Sequence, residues 1–466
     1  MGERGSAKTL GITVMPEWIQ VEGIDALLDN LQGRAGATAI ATSPYVMEPA
    51  DKATGGREPP IDAGAGAVRL LDRELWGKRE LFCRTAPSYA ADLSLFRGCR
   101  YQPTPANDLT AREGHKVGDF IRAARARGIE VWLQVQAAIP PGYRVQFGGP
   151  APDDQPLLPD GRKVARQVDK NGSLASPHIV AYVSALLADL AKAYPEVDGF
   201  RIDWPEYPPY TLDAVFLDFS DHAMREAVRR GYDAERMRRD AAAAYAHLHH
   251  GLTDAELRAV IAAPGELALS RRWPGLADLW RFKADLVVSL LDACRKAVPA
   301  GKKLAPQSFP PPWTQVSGFD HARAAPFADA IGVKLYTMHW PMMLRFYADA
   351  VAAGNPDLDH GMVAKALVAL LATGGPEPSS IEDLRYPDPD ETHPVGAGEQ
   401  TAKIRAAQQA AGSCPVLPFS HAYGPVEDVA KRAAIAWEAG PHGIWVNRYG
   451  YLSDAKLDRL GALPRG

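Results

Sequence analysis

The feature that most constrains this chain is a rhythm. Short β-branched or apolar runs alternate with amphipathic helical stretches along most of its length. Such runs between helical patterns read as strands of a parallel sheet, because parallel neighbours need a crossover, usually a helix. The runs with this character are Leu10–Glu17, Ala37–Ser43, Glu130–Gln136, Gly199–Trp204, Lys303–Phe309, Ile331–Met338, Val416–His421 and Gly443–Asn447. Helical spacing occupies Ile24–Gln32, Gly118–Arg127, Pro177–Ala193, Leu276–Val298, Met342–Ala353 and Val426–Ala439, and Ala455–Leu460 closes the chain. Eight parallel strands with interleaved helices predict an α/β fold, a single (β/α)8 TIM barrel over residues 1–466.

At 466 residues the chain exceeds the ~250 typical of that barrel, and three stretches hold the surplus. Residues 46–113 are rich in Pro, Gly and aromatics (Trp76, Tyr89, Phe96, Tyr101), 138–175 in Pro, Gly and Asp, and 211–275 read mostly as helix. Each follows a strand, so each is expected on the C-terminal face, where barrels build their sites. A fourth irregular stretch, 374–397, lies between the sixth and seventh strands. The net charge of −4 without a long basic run argues against nucleic-acid or anionic-membrane partners. Apolar stretches such as Ala366–Ala372 fall far short of the ~18 residues of a membrane span. With no apolar leader pattern and only four cysteines, a reducing cytoplasm is the expected compartment. Cys83 and Cys99 would be the candidate pair in an exported protein. No HExxH motif and no CxxC pair occurs, so neither a metal nor another cofactor is expected.

Side chains alternate across a strand, and in a barrel the set facing the helices must be apolar. That rule turns Phe200 and Ile202 outward, and so Arg201 and Asp203 inward. It also sends Thr13 and Glu17, Gln134 and Gln136, Gln307, Lys334 and Tyr336, and Asn447 beside Trp445 into the barrel. An interior filled only for stability would be mostly Val, Ile and Leu. Polar groups buried without partners cost about 1–3 kcal/mol each, so this set implies a ligand site or a self-satisfied network such as an Arg201–Asp203 or Lys334–Asp203 pair.

The richest segment is Val197–Tyr210, VDGFRIDWPEYPPY. It sets Asp203 and Glu206 at a strand's C-terminal end, beside Trp204. Paired carboxylates serve glycosidic cleavage, where one protonates the leaving oxygen and the other stabilises or attacks an oxocarbenium-like centre. Aromatic rings offer flat apolar faces to sugars. Trp18, Trp204 and Trp340 stand at expected strand ends. Glu17 and Asp320 are reserve partners for Asp203, although Asp320 equally suits a helix N-cap. His421 is a further sugar-binding candidate. The expected partner is therefore a carbohydrate.

GFRID (Gly199–Asp203) resembles the fourth-strand motif of the α-amylase family, in which that aspartate is the nucleophile. DGFRIDWPEYP (Asp198–Pro208) resembles the chitinase signature DGxDxDWEYP, with Arg201 in place of an acidic residue and Pro205 inserted. That likeness implies that Glu206 is the acid and Asp203 its helper. VKLYTMHW is similar to the chitinase sixth strand, aligning Tyr336 with its tyrosine and Thr337 with its aspartate. Over roughly residues 130–340 the chain resembles glycoside-hydrolase-like barrels of bacteria. Those relatives often carry a cysteine pair in the insertion after the fourth strand. Phe219 and His222 stand in that neighbourhood here, which argues against a metal.

The reading from sequence is thus a glycoside hydrolase, retaining in preference to inverting. Asp203 is nucleophile or stabiliser, with Glu206, Asp320 or Glu17 as acid/base. Trp18, Gln134, Gln136, Arg201, Trp204, Gln307, Lys334, Tyr336, Trp340, His421 and Asn447 are the substrate contacts. Two alternatives stay open: a Schiff-base aldolase or lyase using Lys334, and a carbohydrate-binding barrel without turnover.

Overall fold

The structure, a computed structural model, describes residues 8–60, 69–143, 148–165, 168, 170–264 and 269–465. At its centre is a closed barrel of parallel strands. They are β1 (Thr9–Thr13), β2 (Ala39–Thr42), β3 (Glu130–Gln136), β4 (Gly199–Asp203), β5 (Lys303–Ser308), β6 (Ile331–Leu335), β7 (Val416–His421) and β8 (Gly443–Asn447). Sequence neighbours pair throughout, and β8 closes on β1. The helices used below are α1 (Pro16–Glu22), α2 (His115–Ala126), α3 (Pro177–Ala193), α4 (Asp221–Arg229), α5 (Pro274–Ala297), α6 (His339–Gly354), α7 (Ala397–Ala411) and α8 (Val426–Ala439).

Two strands end several residues earlier than the apolar pattern predicts, for local reasons. Pro16 opens α1, a position where its missing N–H costs nothing. Glu17 and Trp18 therefore ride on a helix. After Leu335 the chain turns at once into α6, with the His339 N–H donating to the Tyr336 carbonyl at 2.8 Å.

The alternation rule sorts the barrel into two cores. Leu10, Ile12, Ile40, Val131, Leu133, Val135, Phe200, Ile202, Val333 and Val446 pack outward against the helices. Ala39, Ala41, Trp132, Ala305, Leu417, Phe419 and Trp445 form a separate inner cluster. Trp445 lies so close to Gly11 that a Cβ there would fall 2.4 Å from its ring. Only glycine fits, and the large rings plug the barrel. The interior is a packed floor with a mouth above it.

The first insertion folds as a three-stranded antiparallel sheet, with Leu81–Pro87 between Tyr45–Pro49 and Gly56–Glu58. In the second, Pro152–Asp154 forms a 3-10 turn, and Ser176 caps the start of α3. The third is helical, with α4, Ala234–His250 and Asp254–Ala262 leading towards α5. Between β6 and β7 the chain forms His360–Leu371 and α7, two helices that the apolar pattern had not distinguished. No disulfide joins Cys83 to Cys99, and Cys83 is buried within its strand. No helix among the described residues is long and apolar enough to cross a membrane.

Candidate active site

Asp203 is the last residue of β4, and alternation from outward Ile202 aims it into the barrel mouth. Its Oδ1 lies 2.6 Å from Lys334 Nζ on β6 and accepts the Trp204 N–H at 3.1 Å. Its Oδ2 faces the amides of Gln134 and Gln136 on β3 at 3.5 and 3.4 Å, contacts too long to satisfy it fully. The Asp203 side chain keeps 14% exposure. Gln134, Gln136, Tyr336 and Asn447, the other inward groups at this level, are also partly exposed. Each therefore keeps some contact with solvent at the C-terminal end of the barrel. Among the described residues no donor reaches the buried Oε1 of Gln136.

Lys334 is buried, with its ammonium 5.2 Å from the centroids of both Trp204 and Phe309. Aromatic faces favour a cation there, and the Asp203 carboxylate completes its neutralisation. The barrel lysine therefore stands as the counter-charge of the aspartate. Tyr336 lies one inward step further along, its ring 5.1 Å from His421 and 5.7 Å from Phe419. Burial pushes the Tyr336 hydroxyl well above its ordinary value.

Arg201 and Gln307 do not reach this space, which corrects their expected role as substrate contacts. The Arg201 guanidinium sits between Phe419 and Trp445, 4.3 and 4.0 Å from their centroids, and bonds Thr13 Oγ1 at 3.3 Å. The Gln307 amide fits with its oxygen towards Arg201, accepting from Nε and Nη2 at 3.1 and 3.0 Å. Both belong to the floor, and burial lowers the Arg201 pKa to about 9.

Glu206 is also displaced from its expected place. Trp204 adopts φ +50°, a left-handed conformation that costs a bulky residue about 1–3 kcal/mol and needs support. Asn171 of the second insertion supplies it, donating to the carbonyls of Trp204 and Glu206 at 3.1 and 3.0 Å. The turn tucks Glu206 behind the mouth with no exposure. Its Oε1 accepts the Phe309 N–H at 2.7 Å and its Oε2 the Ser317 hydroxyl. Burial raises its carboxyl to about 7. Both oxygens are thus committed to the β5 side of the barrel, which corrects the expectation of a general acid at the mouth.

The reserve acids lie elsewhere. Glu17 is buried on α1, accepting from Tyr45 Oη at 3.1 Å. Asp320 caps the short helix His321–Ala324 through the Arg323 N–H at 3.2 Å, and that helix packs against α5 and α7. Trp18 and Trp340, expected as sugar platforms, are core residues: Trp18 stacks edge-on with Tyr449 at 5.8 Å, and Trp340 meets Trp313 at 5.7 Å. Trp204 stays near the mouth, edge-on to Tyr210 at 6.0 Å. His421 is buried, takes the Tyr423 N–H at 3.1 Å on Nδ1, and is held well below its ordinary pKa by burial.

The sequence reading missed Asn171 and Ser317, which hold the β4 turn, and the buried Arg448–Glu58 ion pair that ties the first insertion to the chain after β8. Glu58 and Asn171 lie in insertions without periodicity, and nothing in their spacing pointed to a partner. No cluster of metal-ligating side chains among the described residues includes a residue of the mouth.

No protein-family model matches the chain, and no curated protein is similar to it in sequence. Solved structures are similar at low identity. A β-galactosidase from the psychrophilic Marinomonas ef1 is 12% identical with a TM-score of 0.49, over 98% of this chain and 59% of that one. A class V chitinase from Pseudomonas fluorescens is 10% identical with a TM-score of 0.41, over 98% and 99%. An α-L-fucosidase from Paenibacillus thiaminolyticus is 11% identical with a TM-score of 0.40, over 75% and 39%.

Proposed function

We propose that the protein is a glycoside hydrolase in which Asp203 is the reacting carboxylate and the anomeric configuration is retained. The observation that carries this reading is the Asp203–Lys334 pair at 2.6 Å, at the C-terminal end of a barrel strand and partly open to the mouth. Lys334 and the Trp204 N–H orient Oδ1, while the loosely held Oδ2 is the atom left to meet an oxocarbenium-like carbon. The Gln134 and Gln136 amides suit sugar hydroxyls, and the unmet Oε1 of Gln136 would take one as an acceptor. Glu206, at about 7, holds its proton below neutrality and anchors the turn. Leaving groups that need little protonation are therefore the first on which turnover would be seen. The test is hydrolysis of a panel of aryl glycosides by the parent and by Asp203→Asn. Turnover of one panel member by the parent and its loss in the variant supports the reading. Equal rates overturn it.

A carbohydrate-binding barrel without turnover is the second reading, favoured by the commitment of both Glu206 oxygens. It predicts saturable sugar binding with no product after prolonged incubation. The Schiff-base reading loses ground, because the Lys334 nitrogen is engaged by the Asp203 carboxylate at 2.6 Å rather than left to meet a carbonyl.

A further inference from the structure

Outside the barrel mouth, three side chains from three separate elements converge. Asp154 ends the turn at Pro152–Asp154 in the second insertion, His178 lies in the first turn of α3, and His222 lies in the first turn of α4. One oxygen of Asp154 and one ring nitrogen of each histidine lie within 4.8 Å of one another. We propose that this group is a binding site for a divalent metal ion of zinc type, fastening the second and third insertions to α3.

The donor set fits that chemistry. Two imidazoles and one carboxylate are a common protein ligand set for zinc, with a fourth position left for water. Asp154 is fully buried and its carboxylate is held rigidly. Oδ1 accepts the Ser176 hydroxyl at 2.5 Å, and Oδ2 accepts the Tyr101 hydroxyl at 2.5 Å. His222 Nε2 already stands 3.1 Å from Oδ1. Such hydrogen bonds to a ligating carboxylate are the outer shell that orients metal ligands.

The local charge agrees. Arg100 approaches Asp154 Oδ2 at 3.1 Å, but its guanidinium makes a two-pronged pair with Asp153 at 2.6 and 2.7 Å. With Arg225 beside His222, two carboxylates face two guanidiniums, and one negative charge is left facing the imidazoles when the exposed Arg225 turns away. Bonds of 2.0–2.1 Å place tetrahedral ligand atoms about 3.3–3.5 Å apart, a spacing His222 Nε2 already meets against Asp154, so the adjustment falls mainly on His178. Both are only partly buried, and their rings already meet edge-on at 5.8 Å. Arg225, which touches His222 Nδ1 at 3.2 Å, is exposed and free to swing away. No spacing motif announces the site, since each ligand comes from a different element, and the sequence alone had argued against a metal here.

The test uses the full chain, stripped with chelator and titrated with zinc by calorimetry and elemental analysis. One zinc per chain is expected. His178→Ala and His222→Ala should each weaken binding at least about 10- to 100-fold, the range that outer-shell changes alone produce. Tyr101→Phe, a milder change, should fall within that range. His249→Ala, on a helix whose last turn carries His247, His249 and His250, should bind as the parent does. Cobalt in the parent should give the intense visible absorption of a four- or five-coordinate ion. No zinc taken up, binding unchanged in both His178→Ala and His222→Ala, or binding lost in His249→Ala would each overturn the proposal.

Discussion

Glu206 offers the sharpest test of how the β4 turn is built. Its carboxyl moves from an ordinary 4.5 to about 7, with burial as the main cause, and Lys334 and the Phe309 and Ser317 bonds only partly oppose it. That rise corresponds to about 3 kcal/mol. Because the folded pKa is the higher one, the native state binds more protons than the unfolded chain between pH 4.5 and about 7. Stability therefore falls as pH rises through that window, and the full cost is present above it. Glu206→Gln removes the titration and keeps the contacts. The amide oxygen can accept the Phe309 N–H, and the amide nitrogen can donate to Ser317 Oγ, whose hydroxyl has the Thr314 carbonyl at 3.3 Å as an alternative acceptor. Urea unfolding of parent and variant at half-unit steps from pH 4.5 to 8 measures the difference. The variant should gain about 3 kcal/mol on the parent across the range. A difference that does not change with pH, or one that runs the other way, would show that Glu206 is not a buried, protonated group.

Further outcomes follow from the placements above. Lys334→Met leaves Asp203 without its counter-charge and should cost about 3 kcal/mol in denaturant unfolding, the low end for a broken buried pair because Asp203 is partly exposed; adding Asp203→Asn should recover most of it. Trp340→Ala should cost about 3–5 kcal/mol in the same assay and leave sugar affinity unchanged in the fraction that remains folded, as befits a core residue. Asp320→Ala should cost about 1 kcal/mol, the worth of an N-cap, with kcat/KM unaltered. Borohydride with candidate carbonyl substrates should yield no adduct at Lys334 by mass spectrometry.

The barrel was legible because its rule is local. Strands β1, β3, β4, β6 and β8 carry outward apolar residues at period two, and on β3, β4 and β6 that pattern alone turns Gln134, Gln136, Asp203, Lys334 and Tyr336 to one side. The level at which each inward residue ends was less legible. Arg201 and Asp203 share a face, yet one lies in the floor between Phe419 and Trp445 and the other opens to the mouth. Stagger between strands sets that height, and it is a property of the closed barrel rather than of any one strand. Trp18 and Glu17 were misplaced by reading the strand through Pro16, which begins a helix. Glu206 was misplaced because its position depends on the left-handed Trp204 and on Asn171 from a distant insertion. In each case the deciding contact is long-range, and no window of sequence contains it.

Asp203 as the reacting carboxylate is tested most directly by covalent trapping. The parent protein is incubated with a panel of fluorinated aryl glycosides, digested, and mapped by mass spectrometry. A glycosyl adduct on the peptide that contains Asp203, absent in Asp203→Asn, is the predicted result. An adduct on any other residue, or none from a sugar that the parent turns over, would contradict it.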